Sequence, residues 1–254
     1  MRIAVKVGTS TLTYPTGNMN LRRIEKLCRV LSDLKNAGHE IILISSGAIG
    51  MGVGKLSLSG RPSDMPTKQA AAAVGQCELM YTYDREFSEY GHTVAQILLT
   101  GSDLRDKERS LNFRNTIDRL LEMGVLPVIN ENDTVSTEEI AVGDNDTLAA
   151  IVSVDAKADL LILLSDIDGL YTADPKKDKN ATVIKRVEKL TDEIMALGGG
   201  AGSTLGTGGM HTKLNAAKIC TENKIDMIIA NGENPEALYS VIDGKEVGTL
   251  FCGK

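Results

Sequence analysis

Positive charge is scarce in this sequence. Its 254 residues hold 28 lysines and arginines against 34 aspartates and glutamates, a net charge of −6. That balance excludes a broad nucleic-acid surface, which needs a basic face against the phosphate backbone. An anionic small substrate stays open, but only where amides and lysines cluster to reverse the local field. Cysteine is sparse too. Cys28, Cys77, Cys220 and Cys252 are scattered and form no CxxC, so they read as reduced thiols in a cytoplasmic protein. The three histidines, His39, His92 and His211, lack metal-ligand spacing. No apolar run reaches the ~18 residues of a membrane span. The N-terminal "MRIAVKVGTS" reads as a strand, not a signal peptide.

Several familiar site motifs are missing. No GxGxxG follows a strand, which removes the dinucleotide fingerprint, and neither GxSxG nor HExxH occurs. "GMGVGKLS", residues 50–57, imitates a Walker A loop, but its spacing is wrong and Leu56 takes the Ser/Thr place.

Glycine is plentiful, with 25 residues, which suggests loops whose backbone comes close to ligands. A chain of this length buries roughly 75% of its unfolded surface and needs no disulfide or metal to fold. Solidly apolar runs ("RIAVKVG", "EIILIS", "TVAQILLT", "VLPVIN", "DLLILLS", "DMIIAN") alternate with helical patterns. That alternation predicts an α/β fold with a mainly parallel sheet covered on both faces. A long helix is expected to start near Thr67, a small hairpin arm over "EEIAV" (138–142), a short strand over "ATVIKRV" and a closing strand at "GTLF". The segment 198–209, "GGGAGSTLGTGG", cannot pack a core and is expected to stay mobile until a ligand orders it.

In open α/β sheets, ligands sit beyond the carboxyl ends of the strands. Lys6, Gly8, Thr9 and Ser10 follow the first strand; Ser45, Ser46, Gly47 and Ala48 follow the second. Asn130, Glu131, Asn132 and Asp133 follow the fourth, Ser165 and Asp166 the fifth. This convergence says more than any single motif. Lys6 stands between two valines in an apolar strand, so its charge needs a partner or a function, unless the strand is an edge and the lysine faces water. "GTGGMHTK", 206–213, is a glycine loop running into a helix. Its amides, the helix dipole and Lys213 make an anion site, with a flexible loop and a surface lysine as the plain alternative. Ser46, Gly47 and Ala48 could cradle a carboxylate or simply cap a helix. Asp144, Asn145 and Asp146 could likewise be caps. Asp133, Asn145 and Asp146 together make a dense cluster whose carboxylates would repel phosphate unless they hold lysines, magnesium or a substrate ammonium.

"VKVGTS", "ISSGAIG", "VINENDTV", "VGDNDTLAA", "LLSDIDGLYTADP" and "GTGGMHTK" resemble, in this order, the motifs of the amino acid kinase family. The match runs from Arg2 to Phe251. The resemblance implies a three-layer α/β/α sandwich of one domain. Its lobe up to about residue 150 would face the amino acid, and the remainder ATP. It is closest to members that move the ATP γ-phosphoryl group, with Mg²⁺, to the side-chain carboxylate of L-glutamate at the start of proline synthesis. It implies that Lys6 and Lys213 touch the transferring group and that Asp146 orients them. Ser46, Gly47, Ala48, Asp133 and Asn145 match amino-acid positions. Lys6, Gly8, Ser165, Asp166 and the run Thr207, Gly208, Gly209, Met210, His211, Thr212 and Lys213 match ATP positions. No residue of the chain is assigned as a metal ligand.

The resemblance further implies a homodimer or homotetramer and hand-over of a labile acyl phosphate to a glutamyl phosphate reductase. Many relatives carry a C-terminal PUA domain, whereas this sequence stops at Lys254, soon after "VGTLF". Other members of the family act on aspartate, acetylglutamate, carbamate or nucleoside monophosphates. The acidic cluster favours a free ammonium and so argues against acetylglutamate. A non-catalytic nucleotide or amino-acid sensor is the remaining alternative, disfavoured by the intact Lys6, Asp146 and Lys213.

Overall fold

The computed structural model describes residues 1–14, 18–135, 145–199 and 209–253. The expected hairpin arm at 138–142, nearly all of the glycine-rich segment, Asp144, Thr207 and Gly208 lie outside them. The strands are β1 (Arg2–Val7), β2 (Glu40–Ile44), β3 (Val94–Leu99), β4 (Leu126–Glu131), β5 (Leu160–Ser165), β6 (Arg186–Val187), β7 (Asp226–Asn231) and β8 (Thr249–Phe251). The helices are α1 (Thr9–Leu12), α2 (Leu21–Asn36), α3 (Ala48–Lys55), α4 (Met65–Ser88), α5 (Gly101–Arg105), α6 (Lys107–Glu122), α7 (Asn145–Asp155), α8 (Asp192–Ala196), α9 (Met210–Glu222) and α10 (Ala237–Ile242).

Among the described residues the strands form one sheet in the order β3-β4-β2-β1-β5-β7-β8-β6. Each neighbouring pair is parallel except β7 and β8. The order reverses direction at β1, so the ends of β1, β2 and β5 open onto one crevice. Strand alternation sorts the two cores. Ile3, Val5 and Val7 of β1 pack with Leu27 and Leu31 of α2, Leu79 and Tyr83 of α4, and Leu238 of α10. Ala4 points the other way, into a core holding Phe113 of α6, Leu148 of α7 and Leu214 of α9. Lys6 shares the parity of Ala4, so the strand aims it toward α7 and α9. These are the three layers: helices, sheet, helices.

Two expected boundaries move. α4 starts at Met65, ahead of Thr67, because Asp64 caps it by accepting from the Thr67 amide at 2.9 Å and Pro66 preorganises its first turn. The strand expected over 181–187 shrinks to Arg186–Val187. Its partner β8 is only three residues long, and Val183 makes just an isolated bridge with Tyr171.

One helix crossing sets the position of the loop after β2. A Cβ placed on Gly75 of α4 would lie 1.8 Å from the Ala48 carbonyl oxygen; one on Gly52 of α3 would lie 1.8 Å from that of Ala71. The two backbones are therefore in direct contact, and α3 carries Ser46–Ala48 at its entrance. Gly75→Ala should cost about 2 kcal/mol or more through overpacking, lowering Tm by roughly 4–8 °C. Gly60→Ala is the control, since a Cβ there meets nothing within 4 Å. Equal melting temperatures for both variants would refute the contact.

Candidate active site

Three side chains from three distant parts of the chain meet where β1, α7 and α9 converge. Lys6 Nζ lies 2.5 Å from Asp146 Oδ1, and Lys213 Nζ lies 2.9 Å from Asp146 Oδ2. Asp146 is 0% exposed, Lys213 4% and Lys6 7%. A buried carboxylate thus holds one ammonium on each oxygen, and the three together carry a net charge of +1. Burial by itself would raise the Asp146 carboxyl. The Coulombic pull of Lys6 and then of Lys213, with a hydrogen bond from each, holds it below the ordinary aspartate value instead. The buried position of Lys6 removes the edge-strand alternative, and the pairing of Lys213 removes the surface one.

Asn145 starts α7 one residue before Asp146 and faces the second polar group. Its Nδ2 lies 2.8 Å from the Ser45 carbonyl oxygen, 2.8 Å from Ser46 Oγ and 3.0 Å from Asn130 Oδ1. Two hydrogens serve three acceptors, so this contact is shared and polarised. Gly47, at φ +100°, enters α3 in a left-handed conformation that its missing Cβ makes cheap. Ala48 follows as the first residue of α3. Asp133, half-buried beyond β4, has its carboxyl pushed up to about 6, first by burial and then by the neighbouring charge of Glu131, with Arg61 opposing. Ser46, Asn145 and Asn130 are therefore one connected group. Among the described residues no hydrogen bond joins Asp133 to it.

Of the residues expected on the nucleotide side, Gly8 and Thr212 stand closest to the triad. A Cβ on Gly8 would come within 3.9 Å of Lys6 Nζ, so the backbone after β1 passes close to that ammonium. Gly209 caps α9 without any side-chain hydrogen bond, and Met210 opens the helix. Among the described residues no side chain caps its first turn, where the positive end of the helix dipole lies. Thr212 Oγ1 donates to the Gly209 carbonyl oxygen at 2.7 Å and stands 3.2 Å from Asp146 Oδ2, which places it against the triad. His211 departs from the group: it lies on the exposed face of α9, its Nε2 3.1 Å from Asn215 Nδ2. Ser165 ends β5, accepts the Gly232 amide on its carbonyl oxygen at 2.7 Å, and donates its hydroxyl to the exposed Asp166 at 3.1 Å.

The structure adds Gln76, which sequence reasoning did not single out, and gives Asn130, named until now only among the polar residues after the fourth strand, its partners. Asn130 is buried at the end of β4 and Gln76 is buried on α4; Asn130 Nδ2 donates to Gln76 Oε1 at 2.9 Å. The burial of Asn130 could have been suspected from its place at the end of an apolar run. Nothing local in the alanine-rich α4 marks Gln76.

Comparison with known proteins agrees with this architecture. A family model described as the amino acid kinase family matches residues 1–231. The chain is 55% identical over 257 residues to the glutamate 5-kinase of Clostridium perfringens, covering 100% of this chain and 96% of that protein. It is 57% identical over 249 residues to the glutamate 5-kinase of Clostridium tetani, covering 98% of this chain and 93% of the relative. Among solved structures, a product complex of T. acidophilum isopentenyl phosphate kinase superposes with a TM-score of 0.66, at 17% identity and over 98% of this chain and 99% of its own. A substrate complex of isopentenyl phosphate kinase gives 0.69 at 18% identity, over 98% of each chain. At such identity these two share the fold alone. With residues 1–231 under one family model and more than half its residues in common with relatives of its own length, the chain belongs to the amino acid kinase family.

Proposed function

We infer that this chain transfers the γ-phosphoryl group of ATP to the side-chain carboxylate of L-glutamate, forming an acyl phosphate. The observation that carries the reading is the pair of buried ammonium groups on the two oxygens of Asp146. Full-length identity to proteins named glutamate 5-kinase supports the choice of acceptor. The acceptor carboxylate has an ordinary pKa of about 4.3, so at neutral pH it is already the nucleophile and needs no general base. The obstacle is electrostatic, because an anion must approach an anionic nucleotide. In this reading Lys6 and Lys213 stabilise the migrating phosphoryl group, and Asp146 holds their two tips together. The α9 N-terminus and the backbone at Gly8 receive phosphate oxygens. Ser165 and Asp166 line the nucleotide side.

Ser46, Gly47, Ala48 and Asn145 hold the amino acid, and Asp133 draws its α-ammonium. On this assignment the lobe up to about residue 150 serves the amino acid and the rest serves ATP, with the triad at their junction. The donor set fits a metal carried in on nucleotide phosphates. Among the described residues no cluster of three or more His, Cys, Asp or Glu side chains could cage one, and Asp166 stands exposed at the end of β5. When bound, Mg²⁺ would neutralise phosphate charge.

The test is ADP release with ATP and Mg²⁺ against L-glutamate, L-aspartate, N-acetyl-L-glutamate, carbamate and a nucleoside monophosphate, with hydroxylamine to trap an acyl phosphate. Glutamate should give the highest kcat/KM and a hydroxamate. A higher value with another acceptor, or no hydroxamate, would overturn the assignment.

The raised Asp133 carboxyl adds a pH dependence. Above about 6 it is ionised and attracts the substrate ammonium; below that it is neutral. The KM for L-glutamate should therefore rise about tenfold from pH 7 to pH 5, because one unit below its pKa only ~10% of a carboxyl stays ionised. Asp133→Asn should show a high KM that is flat across this range. A pH-sensitive KM in that variant would move the effect to another group.

A further inference from the structure

We propose that Gln76 is a positioning residue for the acceptor half of the site, anchoring the buried Asn130 amide in the orientation its main chain sets and so holding it against Asn145. The proposal rests on the reading of Asn145 as a substrate-binding residue. One backbone group next to Asn130 can only donate. The Glu131 N–H donates to Asn130 Oδ1 at 2.9 Å. Only the oxygen of the Asn130 amide can answer that donor, so its orientation is settled by the main chain. Asn130 Nδ2 must then point the other way, into a region where Asn130 is 2% exposed and Gln76 8%. A donor so placed needs an acceptor. Gln76 Oε1 supplies it at 2.9 Å, which turns Gln76 Nε2 outward to Gln96 Oε1 at 3.3 Å on β3.

The chain of amides continues toward the cleft. Asn130 Oδ1 also accepts from Asn145 Nδ2 at 3.0 Å. The Asn145 NH₂ group is thereby committed to Asn130, the Ser45 carbonyl and Ser46 Oγ. Its own oxygen is left as the acceptor at the start of α7. An acceptor there suits a substrate ammonium, whereas an NH₂ group in its place would repel one. Gln76 thus satisfies the buried donor of Asn130 and keeps Asn130 Oδ1 against the Asn145 NH₂ group, from a place behind Asn130. Gln96 lies at the exposed outer end of the chain of amides, where water can replace it.

Gln76→Met keeps the length of the side chain and removes the acceptor. It should raise the KM for L-glutamate about tenfold, the scale of stranding one buried donor, with the KM for ATP within about twofold of wild type. Gln76→Glu keeps an acceptor facing Asn130 and should stay within about threefold of the wild-type glutamate KM. Gln96→Met should stay within about twofold. A merely structural role would lower Tm and the active fraction without separating the two KM values. An unchanged glutamate KM in Q76M overturns the proposal, and so does a rise in Q76E equal to that in Q76M. Were Q76M too unstable to assay, Q76E decides alone, and a ~10-fold rise there counts against Gln76. Should wild type prefer another acceptor of the panel, the choice of substrate falls, while the KM for that acceptor still reports on Gln76.

Discussion

Lys213→Met should lower turnover by at least ~100-fold, with the KM for L-glutamate changed by no more than about threefold. Methionine keeps the apolar stem that packs in this buried site and removes only the charge. The site brings together an anionic nucleophile, an anionic nucleotide and a triad whose net charge is only +1. Removing one lysine takes the triad to zero at the point where charge is redistributed in the transition state. Losing one preorganised charge-stabilising donor typically costs 10²–10³ in kcat. Lys6→Met should behave alike, because the two ammonium groups occupy equivalent places on the two oxygens of one carboxylate. The double variant should fall short of the product of the single losses, since groups that act as a unit are not additive. Lys213→Arg should not rescue, because the broad guanidinium does not fit a position that is 4% exposed. Steady-state kcat and KM, with a melting curve for each variant, are the measurement. A single variant within tenfold of wild-type turnover would remove that lysine from the phosphoryl group.

Much of this site can be read before any coordinates exist, and the unread part has specific physical reasons. Lys6 is conspicuous as a charge within an apolar strand, and alternation with Ala4 even assigns its face of the sheet. Its partner is not readable locally: Asp146 is 140 positions away, and only the topology puts α7 over that face. Lys213 is visible through the glycines before it, but the loop also suggests His211. Two residues along a helix turn the direction by about 200°, so once α9 begins at Met210, a buried Lys213 sends His211 to solvent. Gln76 leaves the weakest trace. Four alanines, a valine and a glycine precede it, so α4 carries little amphipathic contrast there to say which polar side chain faces inward. The anchoring of Asn130 depends on its meeting Gln76 across 54 residues, a relation with no spacing rule. The strands, by contrast, are apolar runs whose limits are fixed by the same buried parallel sheet that makes them apolar.

Asp146→Asn is expected to damage both stability and catalysis, and the two losses should respond differently to ligand. The variant keeps the volume and one acceptor oxygen but turns an NH₂ donor toward one of two buried ammonium groups. Removing the shared partner from a buried ionic cluster leaves uncompensated charge and typically costs ~3–5 kcal/mol. For a domain near this size that is a fall of roughly 10 °C in Tm. The sign of the pH effect follows from the direction of the Asp146 shift. Its carboxyl lies below the ordinary aspartate value in the folded protein, so its stabilisation is present above the ordinary value of about 3.9 and is lost as pH falls through the folded value. The gap in Tm between wild type and variant should hold from pH 8 down to pH 5 and narrow only in stronger acid. ATP should then raise the Tm of the variant by more than that of wild type, because its phosphates supply the missing negative charge to Lys6 and Lys213. Turnover should nevertheless stay low at saturating ATP, since without Asp146 the two tips lose the carboxylate they share while the phosphoryl group passes between oxygens. A variant that melts with wild type at pH 7, or that regains full turnover once ATP saturates, would show that the lysines are held in place by something other than this carboxylate.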